Sequence, residues 1–157
     1  GRIIRRPHTA AMLDSRTDIL AIRHKEAVKS IEDSDVLVVA GQGIQKGQNL
    51  KWLEMLAEKL GGMVGGTRPV IESGWIDARR QIGLSGRTVK PKLIITCGVS
   101  GSIQFVAGMN GSDHIMAINT DPDAPIFKVA HTAIVGDVCD ILPALLNSIN
   151  QETEKHA

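Results

Sequence analysis

Short, unbroken aliphatic runs alternate along this chain with amphipathic stretches. The runs at 36–40 (Val-Leu-Val-Val-Ala), 93–97 (Leu-Ile-Ile-Thr-Cys) and 114–118 (His-Ile-Met-Ala-Ile) have no polar face. Strands covered on both sides of a parallel sheet look like this. Shorter strands are predicted at 63–64 and 132–135. Over 48–60, Leu50, Leu53, Leu56 or Ala57, and Leu60 recur at helical spacing, while Lys51, Glu54 and Glu58 take other faces. Gly61-Gly62 stops that helix. One helical turn is predicted at 69–73 with Pro69 near its start, and short helices at 102–107 and 124–129. An amphipathic helix containing Pro143 is predicted over 138–150, followed by a polar tail from Gln151 that should fray. Strands alternating with helices predict an α/β fold, a doubly wound, mainly parallel sheet with helices on both faces. Before it, residues 1–18 read as a basic, irregular arm, 19–22 as a short strand and 24–32 as weakly helical. The expected division is an arm or connection at 1–35 and a domain at 36–157.

Composition narrows the class. Of 157 residues, 43% are hydrophobic and 22% charged, which suits a folded globular domain. The net charge of +1 gives no electrostatic case for nucleic acid or an anionic membrane. Aromatics are 3% with no Tyr, which argues against a base-stacking platform. No apolar run approaches the ~20 residues of a membrane span. Cys97 and Cys139 lie in apolar segments without metal-type spacing, and read as small buried residues. The chain opens Gly-Arg-Ile-Ile-Arg-Arg-Pro, with neither an initiator Met nor a signal-peptide core. A domain cut from a longer protein, or a processed one, is the expectation.

Candidate chemistry gathers after the strands. Gly98-Val99-Ser100-Gly101-Ser102 joins a buried strand to a helix start, a place where free backbone N–H groups receive anions. Asn119 and Asp121 follow the next strand, and Asp137 the last; such residues cap and turn, or bind ribose hydroxyls and adenine. Ligands of open parallel sheets bind beyond the carboxyl ends of the strands. Gly41-x-Gly43-x-x-x-Gly47 is one residue longer than the dinucleotide fingerprint, and both a tight turn and a phosphate contact account for it. Arg68, in a Gly/Thr/Pro turn, is either a solvated charge or a cation aimed at an anion. The loop 74–91 is long enough to suggest function. Ser100 lacks a Gly-x-Ser-x-Gly elbow, and the five histidines form no metal pair, so neither hydrolase chemistry nor a metal site is expected.

Taken together, Thr67-Arg68-Pro69-Val70, Gly74-Trp75, Gln81-Ile82-Gly83-Leu84-Ser85-Gly86, Pro91-Lys92-Leu93, Cys97-Gly98-Val99-Ser100-Gly101-Ser102-Ile103-Gln104, Ala117-Ile118-Asn119, Asp121-Pro122-Asp123-Ala124-Pro125-Ile126-Phe127 and Ile134-Val135-Gly136-Asp137 resemble the C-terminal domain of the electron transfer flavoprotein α subunit. The likeness runs from about Val36 to Ile149, and residues 1–35 look like the connection from that family's N-terminal domain. It implies a Rossmann-like domain that binds FAD, pairs with a β subunit, and carries electrons from flavoprotein dehydrogenases, as in fatty acid oxidation, to a downstream acceptor without substrate chemistry of its own. It implies a cytoplasmic protein, or a mitochondrial-matrix one in a eukaryote. By the resemblance Arg68 lies against the isoalloxazine ring, with Gln81 and Ser85 near it and Ser85 toward N5. Ser100 and Gln104 serve the ribityl-diphosphate region, and Asn119 and Asp137 the adenosine end. Ile82, Gly83, Gly86, Gly98, Gly101 and Ile103 belong to the same cofactor site. The chain departs from the family at Gln42 (usually Arg), Ser85 (usually Thr), Phe105 (usually His), Thr120 (usually Lys) and His131 (usually Asp). Phe105 thereby removes a donor beside the flavin's pyrimidine edge, unless it packs in the core. Two other functions stay open: an NAD-binding dehydrogenase domain using Gly41-Gln42-Gly43, and an interaction domain of the same fold without flavin.

Overall fold

The structure, a computed structural model, describes residues 3–7, 9, 20–21 and 30–155. Five strands form one sheet: β1 (Val36–Ala40), β2 (Met63–Gly66), β3 (Leu93–Cys97), β4 (His114–Asn119) and β5 (Thr132–Val135). Their order is β2-β1-β3-β4-β5 and every pairing is parallel. The helices are α1 (Leu50–Lys59), α2 (Arg68–Glu72), α3 (Ile103–Ala107) and α4 (Val138–Lys155). The chain winds outward from β1 to β2, returns to β3 on the other side of β1, and continues to β5. The expected doubly wound sheet is found, with its topological switch between β1 and β3.

Period-two alternation splits the core into two layers. On one face Val38, Ala40, Ile95, Cys97 and Ile118 pack under Leu53, Leu56 and Ala57 of α1 and Val138, Leu142 and Leu146 of α4. On the other, Leu37, Val39, Ile94, Ile115 and Ala117 pack under Phe105, with Met109, Ala124 and Ile126. Each fully buried Leu or Ile contributes about 1.5–3 kcal/mol. Burial also pushes the Cys97 thiol up to about 12, so it is an inert apolar filler. Both cysteines are free.

At the switch the loops after β1 and β3 meet through backbone. Gly41 N–H donates to Cys97 O and Gly43 N–H to Gly98 O, each at 2.9 Å. A Cβ on Gly41 would lie 2.2 Å from Gly98 O, and one on Gly43 2.8 Å from Gly98 Cα. Gly98 itself has φ 64°, the left-handed region that glycine enters without strain.

The differences from expectation have local causes. A 3₁₀ turn, Gly47–Asn49, precedes α1, and the helix expected at 124–129 is a 3₁₀ turn, Pro125–Lys128. Asn119 is the last residue of β4, paired with Val135, rather than lying past the strand. Helix α4 continues beyond Gln151 to Lys155, because Gln, Glu and Lys are good helix formers whatever their polarity. The loop 74–91 is present, with a 3₁₀ turn at Ala78–Arg80. The strand expected at 19–22 lies outside the described residues except for 20–21, and the helix at 24–32 except for its end. That end is a 3₁₀ turn, Ile31–Asp33, with Ile31 in the core at 2% exposure, so residues 30–35 pack with the domain.

The switch contact generates a test. Gly98→Ala adds a left-handed alanine to a clash with Gly43 C at 2.6 Å. The expected loss is about 2–5 kcal/mol by urea unfolding. Gly61→Ala, with φ 65° but nothing within 4 Å of its Cβ, should lose about 1 kcal/mol. Equal losses would mean that the close approach carries no energy.

Candidate cofactor site at the carboxyl edge of the sheet

All five strands end on one edge, and four spacings of ~4.8 Å make it about 19 Å wide. The sequence-predicted residues are distributed along this edge. Arg68 follows β2, the 98–104 segment follows β3, and Asn119 and Asp137 belong to the ends of β4 and β5.

The 81–87 loop is tied to both β2 and α3. Ile82 N–H donates to Gly66 O at 3.0 Å, and Leu84 N–H to Gln104 O at 2.9 Å. A Cβ on Gly108 would meet Gly83 Cα at 2.5 Å, and one on Gly86 would meet Gln81 O at 2.4 Å. Loop and helix therefore sit in direct backbone contact. Gln81 Nε2 donates to Ser85 Oγ at 2.9 Å, which leaves the Ser85 O–H free to donate elsewhere. Ile82, expected at the cofactor, is 2% exposed and belongs to the core; its backbone holds the loop to β2.

After β3, backbone donors are available in sequence. From Ser100 to Gln104 no backbone N–H donates a hydrogen bond to another described residue. Gly101 has φ 89°, and a Cβ there would meet Ile126 N at 2.3 Å. Ser102 Oγ caps α3 by accepting from Phe105 N–H at 3.4 Å. By contrast, the N–H groups of Gly41 and Gly43 are already used at the switch. The two glycine N–H groups are thus unavailable to a phosphate, and both glycines serve the tight approach of the loops.

Asn119 ties two loops together. Its Nδ2 donates to Val99 O at 2.8 Å and its Oδ1 accepts from Asp121 N–H at 3.0 Å. Asp137 Oδ1 accepts from Cys139 N–H at 2.8 Å, so it caps α4. Arg68 pairs with Glu72 at 2.7 Å, with the Arg side chain 67% exposed. Such a pair is worth only about 0.3–0.5 kcal/mol, so the guanidinium is readily released.

Phe105 is 4% exposed in the second core layer, so the packing alternative is the one found, not a ring bordering the edge surface. His131 stands at the opposite, amino end of β5, where its Nδ1 accepts from Ile115 N–H at 3.0 Å. Sequence reading overlooked Leu84, which is 69% exposed on the surface that also presents Ile103. An apolar side chain within a Gly/Ser turn was the available signal. Among the described residues no group of three or more His, Cys, Asp or Glu is placed to hold a metal ion.

The edge is open. A cavity of about 530 Å³ is lined by Ile31, Val64, Trp75 and Arg79, and one of about 600 Å³ by Trp52, Met55, Pro143 and Leu146; neither contains a predicted site residue. The donors suit an elongated, diphosphate-bearing cofactor such as FAD: free N–H groups near the middle of the edge, and hydrogen-bonding side chains on both sides.

Comparison with known proteins agrees. The family model described as the electron transfer flavoprotein FAD-binding domain matches residues 30–110, over half of the chain. The chain is 48% identical over 149 residues to the lactate dehydrogenase (NAD(+),ferredoxin) subunit LctC of Acetobacterium woodii, covering 92% of this chain and 36% of that protein. It is 50% identical over 129 residues to the electron transfer flavoprotein subunit alpha of Megasphaera elsdenii, covering 81% and 38%. It is 42% identical over 147 residues to the FixB protein of Azotobacter vinelandii, covering 92% and 41%. The chain spans well under half the length of these relatives. It belongs to the electron transfer flavoprotein α-subunit family, as that family's FAD-binding domain.

Proposed function

We propose that this domain holds FAD along the carboxyl edge as part of an electron carrier, paired with a β subunit, that passes electrons from flavoprotein dehydrogenases to a further acceptor in the cytoplasm. The observation that carries the cofactor placement is the contrast in backbone donors: those of Gly41 and Gly43 are used, and those from Ser100 to Gln104 are free. When bound, the flavin supplies one- and two-electron chemistry. The chain's own residues hold and bias it. The 100–104 N–H groups, with the Ser100 and Gln104 side chains, receive the ribityl-diphosphate. Asn119 and the Asp137 carboxylate hold the adenosine end. Ser85, oriented by Gln81, donates toward flavin N5, and Arg68 brings positive charge to the ring. Gly83, Gly86, Gly98 and Gly101 admit the cofactor or the tight loops around it, while Ile103 and Leu84 offer apolar contact.

The carrier reading is supported by relatives named electron transfer flavoprotein. One relative is named as a lactate dehydrogenase subunit, so the proposed donors are not confined to fatty acid oxidation. No helix among the described residues is long and apolar enough to cross a membrane.

Four outcomes are expected. The purified full-length flavoprotein, denatured, should release FAD. Its flavin should be reduced by an organic substrate only when a dehydrogenase is added; direct reduction by the substrate alone overturns the carrier reading.

Asp137→Ala should lower stability by about 1 kcal/mol as a lost cap. If Asp137 also holds adenosine, FAD affinity should fall about tenfold to a hundredfold, in line with a charged hydrogen bond. Unchanged affinity in a titration of apoprotein leaves Asp137 as a cap alone.

Arg68→Ala should lower the flavin potential, because a cation near the ring favours the added electrons. Solvent screening limits the effect to about 10–40 mV for one electron. Spectroelectrochemical titration showing no change would return Arg68 to the status of a surface charge paired with Glu72.

A further inference from the structure

We propose that Lys46 is a phosphate-binding residue of this domain, adding its ammonium group to the free N–H groups from Ser100 to Gln104. This rests on the placement of the FAD diphosphate given above.

The loop carrying Lys46 is fixed against the loop carrying those donors. Gly43 N–H donates to Gly98 O at 2.9 Å, and Lys46 is three residues further on. Between them the chain makes a γ-turn: Lys46 N–H donates to Ile44 O at 2.8 Å, with Gln45 at φ 64° and ψ −39°. A side chain other than glycine is strained there. The turn is held from beneath, because Ile44 is fully buried and its carbonyl accepts from Asn49 Nδ2 at 2.7 Å. Lys46 thus leaves a fixed backbone at the β1 end, beside the β3 loop.

Charge distribution favours this side of the edge. The segments after β4 and β5 carry Asp121, Asp123, Asp137 and Asp140, which disfavour a dianion near them. In the loop between β1 and α1 the cation is Lys46, and directly after β2 it is Arg68, which is paired with Glu72. Lys46 is exposed and forms no ion pair with a described residue. Lys128 is also exposed and unpaired among the described residues, but follows β4, in the segment that carries Asp121 and Asp123.

The test uses the full-length flavoprotein complex, stripped of FAD and titrated with FAD by flavin fluorescence. At about 10 mM salt, where the Debye length is about 30 Å, Lys46→Gln should weaken FAD binding about two- to fivefold. The difference from wild type should vanish near 1 M salt, where that length is about 3 Å. Lys46→Arg should bind like wild type, Lys128→Gln should be unaffected, and the melting temperature of the stripped Lys46→Gln protein should not move. Wild-type affinity in Lys46→Gln, a loss that persists unchanged at 1 M salt, or an equal loss in Lys128→Gln overturns the proposal while leaving FAD placement standing. Failure of the wild-type protein to bind FAD overturns both.

Discussion

The structure turns on how closely two strand-end loops approach each other. Gly41 and Gly43 after β1 meet Gly98 after β3 with no side chain between them, and their N–H groups bond to Cys97 O and Gly98 O. In an open sheet of this order the switch between β1 and β3 is where a ligand crevice is expected. Here the backbone itself fills the base of that crevice. On the proposed placement FAD lies across the strand ends rather than between them, with its diphosphate at the run of free donors from Ser100 to Gln104. The packing constraint that fixes the switch also withdraws the Gly41 and Gly43 N–H groups from any ligand.

From that contact the remaining loops follow in turn. Gly101 leaves no room for a Cβ beside Ile126, whose N–H donates to Ser100 O at 3.0 Å, so the segment after β4 braces the β3 loop. Asn119 adds a side-chain tie to Val99 O. On the other flank the 81–87 loop bonds to β2 through Gly66 and to α3 through Gln104. Backbone donors in such a setting are held in place before a ligand arrives, so binding need not order them.

Much of the fold is legible in the amino-acid sequence because burial on both faces leaves an unambiguous trace. The runs 36–40, 93–97 and 114–118 have no polar face, and the Leu50, Leu53, Leu56 spacing admits only a helix. What escaped was set by chemistry that periodicity does not encode. Residues 124–129 are apolar enough for a helix but fold as a 3₁₀ turn behind Pro125. Ile31, isolated among Ser, Glu and Asp, gives no sign that it enters the core. Within the candidate site, the strand-end residues were legible as a set. The sequence could not tell which glycines free their N–H groups and which use them: Gly41, Gly43 and Gly98 donate to Cys97 O, Gly98 O and Ile118 O, whereas Gly101 does not donate to a described residue. Phe105 was ambiguous for a related reason: a five-residue helix has too few positions to reveal which face is buried.

The open shape of the edge has its own consequence. Leu84 and Ile103 remain 69% and 82% exposed beside Ser85 and Gln104, and the two cavities lined by Trp75 and by Trp52 lie elsewhere. Isolated apolar side chains are common on surfaces, but on the proposed placement of FAD these two stand on the ring side and leave that end of the cofactor uncovered. A carrier needs that exposure, since electrons must pass to partners that come and go, whereas an enzyme acting on a small molecule needs a closed, dry pocket. The same exposure requires that shielding from bulk water come from outside this domain. On the proposed function, a domain that grips the diphosphate through fixed backbone and leaves the ring to a second chain would separate cofactor retention from electron exchange. The first can then be tight while the second stays accessible.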